Sequence, residues 1–276
     1  MRSVPTSTTE PATRPGFRDR RARLEALLGG LERLAVAFSG GVDSSVLLHA
    51  GRAALGEDCT AVLADSPSLP RSELEEARAL AAGLGARLVV VATEELDDPA
   101  YSRNAGDRCY HCKSALFERM RAWARAHGHA TLAFGEITDD LLDDRPGARA
   151  AADFGVRAPL REVGFDKRDV RRYAREVGLP VAAKPASACL ASRIPTGTPV
   201  TRELLAAVET AEALVRARGF RVLRVRHHGR RALLEVGESE LARARELRSE
   251  LSGVLEPLGF DELDLGVYTP PALRRR

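Results

Sequence analysis

Lysine is nearly absent from this sequence. Of 42 basic residues 39 are arginine, and only Lys113, Lys167 and Lys184 are lysine. In a chain that defaults to arginine a single Arg carries little information, so the few lysines stand out. An excess of charge is also missing, because 42 basic residues face 39 acidic ones for a net charge of +3. That balance does not by itself indicate a nucleic-acid protein. No apolar run approaches the roughly 18 residues of a membrane helix; candidates such as 61–64 and 88–92 are strand-sized. Residues 1–17 contain no apolar core of a signal peptide. They are rich in Pro, Ser, Thr and Arg and read as a disordered tail, and Glu10 argues against a transit peptide. A cytoplasmic setting is therefore expected, where structural disulfides are rare. Cysteine is sparse, at four residues: Cys59, Cys109, Cys112 and Cys189. One close pair among them points to metal or redox chemistry.

What is present is an ordinary globular composition, 29% charged and 44% hydrophobic, which excludes a disordered chain, a collagen and a coiled-coil rod. A chain of 276 residues suits one large domain or two modest ones. The run LAVAF at 34–38 reads as a strand buried on both faces. Further strands are expected at 60–64, 87–92 and 131–134, and helices at 18–28, 46–55, 71–84 and 114–127. This alternation argues an α/β fold with a parallel sheet. Residues 138–147 read as an acidic loop, and 167–177 as a helix capped by Asp166. Residues 184–199 have no period and form the kind of long irregular segment that is usually functional or a linker. Beyond them come a helix at 202–218, strands at 221–227 and 232–236, a helix at 238–258 and a strand at 261–265. The expected division is a tail (1–17), an α/β domain (18–195) and a smaller α+β domain (196–276).

The string Ser39-Gly40-Gly41-Val42-Asp43-Ser44-Ser45 lies between a strand and a helix. Its glycines let the backbone approach a ligand closely, and the helix start offers free N–H groups and partial positive charge. Together these suit a phosphate chain, with hydroxyls from Ser39, Ser44 and Ser45. Asp43 is unexpected beside phosphate and reads as a cap or an indirect Mg²⁺ ligand. The bland alternative is a Gly-rich turn with a capped helix. A Walker A loop is excluded, because the Gly-Lys-Ser/Thr ending is missing. The full string resembles the PP-loop of the N-type ATP pyrophosphatases, which cleave ATP between the α and β phosphates and adenylate a substrate oxygen. That resemblance implies a doubly wound sheet with ATP at the carboxyl ends of the strands. It also places Ser66, after the second strand, and Gly135, after the fourth, near the nucleotide.

Cys59 opens a strand and reads as a structural thiol. Cys109 and Cys112 form a C-x-x-C, and Cys189 lies in the irregular segment. Three readings of this trio stay open. A zinc site wants a fourth ligand, for which His111 is within reach by sequence. A redox pair would need a thioredoxin-like context. A 4Fe–4S cluster on three Cys leaves one iron without a protein ligand, free to carry sulfide to an electrophile such as an acyl adenylate. Chance is the fourth possibility.

Further strings narrow the resemblance. RCYHCK (108–113), DDRPGARAA (143–151), KPASACLASRIPTGT (184–198) and RVRHH (224–228), together with the PP-loop, resemble the LarE family of ATP-dependent sulfur transferases over roughly residues 18–265. The resemblance implies that ATP and Mg²⁺ adenylate a carboxylate of pyridinium-3,5-biscarboxylic acid mononucleotide, and that sulfur then displaces AMP to give a thiocarboxylate. The product leads to the nickel-pincer nucleotide, a cofactor of lactate racemase. One branch of the family sacrifices the sulfur of a Cys directly after Ala-Ser. Here Ala188 holds that place and Cys189 follows it, which with Cys109 and Cys112 looks like the three-Cys iron–sulfur branch. The resemblance further implies that Arg224 and Arg226 contact phosphate near Glu212, and that the protein is a homo-oligomer. Arg145 is expected to face substrate or nucleotide phosphates. Lys184 and Lys113 are expected near phosphate or the sulfur anion. A transfer RNA thiolation enzyme with a three-Cys cluster is the alternative, for which the small net charge offers little support.

Overall fold

A computed structural model describes residues 15–142, 146–185 and 187–269 of the chain. Within them the first half runs α1 (Phe17–Gly29), β1 (Leu34–Ala37), α2 (Val42–Leu55), β2 (Cys59–Asp65), α3 (Arg71–Gly83), β3 (Arg87–Ala92), α4 (Pro99–Ser102), α5 (Arg108–Ala126) and β4 (Thr131–Phe134). There follow α6 (Pro146–Asp153), α7 (Pro159–Glu162), α8 (Lys167–Glu176), α9 (Arg202–Ala217), β5 (Leu223–His228), β6 (Arg231–Val236), α10 (Leu241–Glu246), α11 (Arg248–Leu255) and β7 (Glu262–Val267).

The first four strands form one parallel sheet in the order β3-β2-β1-β4. All four β1 residues are buried, as a central strand covered on both faces requires. Side chains alternate between the faces. Leu34, Val36, Ala61 and Leu63 pack against α1, α2, α3 and α8. Ala35, Ala37 and Val62 pack against Phe117, Met120 and Ala124 of α5 and Ala150 of α6. The sheet is thus doubly wound, as expected. Strands β2 and β3 step away on one side of β1, while β4 lies on the other. The switch in direction falls between β1 and β4, and opens a crevice at their carboxyl ends where such sheets bind ligands.

Two polar devices fix the helical layer. Arg20 of α1 donates to both carboxylate oxygens of Asp169 at 2.7 Å, and both side chains are buried. Asp169 also closes the capping box of α8: Asp166 accepts from the Asp169 amide at 2.9 Å, and Asp169 accepts from the Asp166 amide at 3.2 Å. This satisfies donors that a helix start leaves open.

The last three strands form a second sheet, with β5 antiparallel and β7 parallel to β6. With α9, α10 and α11 it encloses its own core, including Val215, Phe220, Val225, Leu234 and Leu251.

Four elements differ from expectation. Helix α2 begins at Val42, because Gly41 already sits at the cap position. Helix α5 begins at Arg108, so the C-x-x-C is helical rather than preceding the helix. The expected loop at 138–147 holds a short 3-10 turn at Thr138–Leu142 and the start of α6. The expected helix at 238–258 breaks at Leu247, which ends α10 and caps α11. In each case local pattern misjudged a boundary that caps and packing decide. The expected tail lies mostly outside the described residues.

Candidate active site

The loop 39–45 runs from the carboxyl end of β1 into α2. Gly40 has a φ of 69°, and a Cβ there would lie 2.9 Å from that of Ala77, so α3 packs directly on the turn. Gly135, after β4, approaches more closely still. A Cβ on it would lie 2.6 Å from the Ser44 amide nitrogen. Its place beside the loop follows from this packing of strand end on helix start. The hydroxyls of Ser44 and Ser45 donate to the Gly41 carbonyl at 3.1 and 2.8 Å. The Ser39 amide donates to Ser44 Oγ at 3.2 Å, the Ser39 and Ser44 hydroxyls lie 3.2 Å apart, and the Gly41 amide reaches Ser39 Oγ at 3.4 Å. These hydroxyls brace the turn and leave its remaining amides to meet an anion. The Val42 side chain is buried, so only its backbone is on offer. Asp43 receives two hydrogen bonds from the Lys167 ammonium, at 2.8 and 2.9 Å. Its carboxyl pKa is raised by burial, with Lys167 pulling the other way.

The turn after β2 is tightly held. Ser66 is buried, donates to the Glu95 carboxylate and accepts from the Ser68 amide at 3.0 Å. Asp65 pairs with Arg71. Glu95 is 2% exposed, and its second carboxylate oxygen meets no protein donor among the described residues.

Beside this turn Cys112 lies within electrostatic reach of both Cys189 and Cys109. Cys109 and Cys112 lie in the first turns of α5, Cys109 exposed and Cys112 half-buried. Burial pushes the Cys112 thiol far up, and Glu95, Cys189 and Cys109 are close enough to push it further. Cys112 and Cys189 pack on a cluster containing Tyr101, Leu190 and Ile194. The buried Tyr101 hydroxyl is hydrogen-bonded to Ser68 Oγ. The fold therefore collects one thiol from the irregular segment and two from α5. His111 is turned elsewhere, to Asp98 at 3.0 Å and Asp107 at 3.4 Å, so it does not complete a zinc site. Among the described residues no group of three His, Cys, Asp or Glu side chains is arranged to hold a metal ion.

The Cys189 segment is pinned from several sides. The Leu190 amide donates to the Ser68 carbonyl at 2.8 Å. Arg193, 2% exposed, donates to the carbonyls of Ala188 and Cys189 and forks onto Glu212 at 2.9 and 3.2 Å. Glu212 also accepts from the Val225 amide at 3.1 Å. On either side of Val225, Arg224 and Arg226 share one face of β5, as period-two alternation requires. Arg226 is engaged by Glu235 at 2.8 Å and by the Ser192 carbonyl at 3.3 Å. Arg224 packs over Tyr268 and makes no ion pair among the described residues; burial and the nearby Arg193 lower its pKa.

No family model matches the chain. It is 37% identical over 252 residues to the pyridinium-3,5-bisthiocarboxylic acid mononucleotide synthase of Lactiplantibacillus plantarum, covering 90% of this chain and 91% of that one. The chain belongs to that synthase family, LarE. An uncharacterized protein of Synechocystis is 38% identical over 91% of this chain and 96% of its own length. More distantly, a glutamine-hydrolyzing GMP synthase of Aeropyrum pernix is 32% identical over 67% of this chain and 40% of its own length.

Several expected LarE-type positions have partners that the sequence did not show, and others lie outside the described residues. Lys184 is spent on Glu73 and Glu76 of α3, at 2.6 and 2.8 Å, and Ser187 also donates to Glu73; the segment is tethered there rather than offering a free cation. Glu212 is a buried partner of Arg193. Lys113 lies over the rings of Phe134 and Phe117, at 4.8 and 5.6 Å; burial lowers its pKa, and Cys112 and Cys109 are close enough to pull the other way. Arg145 and its neighbours Asp143 and Asp144 lie outside the described residues. Sequence reasoning missed Glu95, Tyr101 and Arg193. Arg193 stood inside the 184–198 string but was hidden by arginine abundance. Glu95 carried no signal among its acidic neighbours.

Proposed function

We propose that this LarE-family chain is an ATP-dependent sulfurtransferase. It adenylates a carboxylate of pyridinium-3,5-biscarboxylic acid mononucleotide and replaces the activated oxygen with sulfur, as a step toward the nickel-pincer nucleotide. What supports this reading is the likeness to the bisthiocarboxylic acid mononucleotide synthase, together with a phosphate loop after β1 and a Cys112–Cys189 neighbourhood beside the turn after β2. An adenylating site beside thiols supports sulfur transfer, and the likeness to the mononucleotide synthase supports the substrate.

In this reading ATP lies on the loop 39–45 with Mg²⁺ neutralising its phosphates, Asp43 held nearby by Lys167, and Ser66 and Gly135 shaping the nucleotide side. A substrate carboxylate oxygen attacks the α-phosphorus and pyrophosphate leaves. Adenylation turns a poor leaving oxygen into a good one. A hydrosulfide-level nucleophile then adds to the acyl carbon, AMP departs with the oxygen, and a thiocarboxylate remains. The protein's own share is positioning and charge stabilisation. Arg224 and Arg226, on one face of β5, meet the substrate phosphate together. Cys109, Cys112 and Cys189 would hold a 4Fe–4S cluster, whose open iron supplies a place for the transferable sulfide. The reading also carries a division into two domains near residue 196, a cytoplasmic setting and a homo-oligomer. No helix among the described residues is long and apolar enough to cross a membrane.

The test is one anaerobic reaction of reconstituted protein with Mg-ATP, sulfide and the biscarboxylate mononucleotide, followed by mass spectrometry. Thiocarboxylate together with AMP and pyrophosphate is expected, with repeated turnover if Cys189 is a ligand and one turnover at most if its sulfur is consumed. Protein that carries its cluster yet forms no thiocarboxylate would refute the substrate assignment.

A further inference from the structure

Arg193 and Glu212 form a buried link between two parts of the candidate site that are far apart in sequence. Arg193 is 2% exposed and Glu212 is 5% exposed. A buried pair of this kind is costly to desolvate and is a weak source of stability, so its geometry calls for another account. The guanidinium leaves little unspent. Nε and NH2 go to the two Glu212 oxygens, at 2.9 and 3.2 Å, and NH1 goes to the carbonyls of Ala188 and Cys189 and to Ser192 Oγ at 3.1 Å. The Ser192 hydroxyl donates to the same Cys189 carbonyl at 2.7 Å. The Cys189 carbonyl is therefore anchored by two side chains, with the Ser192 amide a third donor at 3.0 Å. The amide of the same peptide unit, on Leu190, is tied to Ser68.

Glu212 carries the link onward. The oxygen that accepts from Arg193 Nε also accepts from the Val225 amide at 3.1 Å. Val225 stands between Arg224 and Arg226, on the edge of β5 that faces away from β6. Arg226 closes the loop by reaching the carbonyl of Ser192 at 3.3 Å. A shift of β5 by a few tenths of an ångström must be felt by Glu212, by Arg193 and by the carbonyl of Cys189, because close-packed interiors transmit such displacements.

We propose that Arg193, oriented by Glu212, is a positioning residue: it sets where the Cys189 thiol stands relative to an anion held by Arg224 and Arg226. The anion part rests on the role given to those arginines above. The anchoring of Cys189 by Arg193 does not. Binding of a phosphate-bearing ligand on β5 would thus be reported at the sulfur site through one shared carboxylate.

The four cysteines make the test internal. Apo protein under reducing, anaerobic conditions is treated with iodoacetamide, and the alkylation rate of each cysteine is read by peptide mass spectrometry, with and without inorganic phosphate. Cys109 is exposed and reports reagent activity; Cys59 is fully buried and reports unfolding. In Arg193→Met, and in Arg193→Lys, which keeps a charge but loses the fork, Cys189 is expected to react about tenfold faster while Cys59 stays silent and Cys109 is unchanged. Glu212→Gln is expected to give a smaller change in the same direction. Phosphate is expected to alter the Cys189 rate in the unmodified chain and to have no effect in the variants. An unchanged Cys189 rate in all three variants, or Cys59 reacting in step with Cys189 in all three, would overturn the positioning role. A phosphate effect missing from the unmodified chain, with Cys189 accelerated in the variants, would overturn the transmission and the anion role of Arg224 and Arg226 while leaving the anchoring intact.

Discussion

The ammonium of Lys167 binds both carboxylate oxygens of Asp43 at 2.8 and 2.9 Å, joining the start of α8 to the phosphate loop. One of only three lysines thus stands against the loop's one acid. Burial outweighs this partner, and the Asp43 carboxyl stays raised. A carboxyl raised by folding holds its proton more tightly in the native state. Its contribution to stability is present at low pH and is lost as pH rises through the folded pKa. Asp43→Asn is therefore expected to leave the Tm at pH 7 unchanged or higher, while substrate-dependent pyrophosphate release falls about a hundredfold. Calorimetry and a phosphate assay on the same protein measure both. A Tm several degrees lower would give Asp43 a structural role instead.

Gly135→Ala tests the closeness of β4 to the loop. The added Cβ would meet backbone atoms of Asp43 and Ser44 at 2.6 to 2.9 Å, and backbone cannot turn aside as a flexible side chain can. A loss of about 1–3 kcal/mol in urea unfolding is expected, with weakened ATP binding in titration calorimetry. Full stability with full ATP affinity would mean that the crevice is wider than the structure has it.

Arg20→Met breaks a buried bidentate pair. Asp169 would keep its charge in a buried place and lose its main counter-ion, so a cost of about 3 kcal/mol is expected. Adding Asp169→Asn should recover part of that loss, since it removes the stranded charge and leaves an amide able to accept from Asp166. Denaturant midpoints of the unmodified chain and the two variants decide it; equal losses in the single and double variants would show that α1 packing, and not the charge, is what was damaged.

Cys59 makes an alkaline prediction. Burial pushes its thiol up to about 12, so the folded chain keeps a proton that the unfolded chain releases at its ordinary pKa. The stabilising contribution is whole below about pH 9 and is lost as pH rises toward 12. Cys59→Ala should be less stable at pH 8 by about 1 kcal/mol for the lost packing, yet its stability should fall less steeply above pH 9. Parallel slopes for the two proteins would remove Cys59 from the account.

Much of the α/β half was legible in the sequence. LAVAF fixes a central strand because an uninterrupted apolar run must be covered on both faces. The loop at 39–45 announces itself because few residue strings can bring a backbone so close to a phosphate. The C-x-x-C was visible, but its place inside α5 was not, since a helix start depends on what satisfies its first amides. The long helix expected at 238–258 failed because its apolar period continues through Leu247 while the backbone does not.

The sequence alone determined which chemistry-bearing groups the chain owns: a phosphate-binding loop, three cysteines outside the core strands, and a pair of arginines alternating on one strand. It determined the parallel sheet too, through patterns that only one arrangement can bury. The tertiary structure decided which of these groups meet. Cys189 joins Cys112 because Ser68 and Arg193 hold its backbone there. Lys184 is spent on α3, and Lys167 rather than Lys184 reaches the loop. Glu95 and Arg193 became visible as parts of the site only through their burial. Such pairings depend on distances between elements remote in sequence, and no local pattern of residue types encodes those distances.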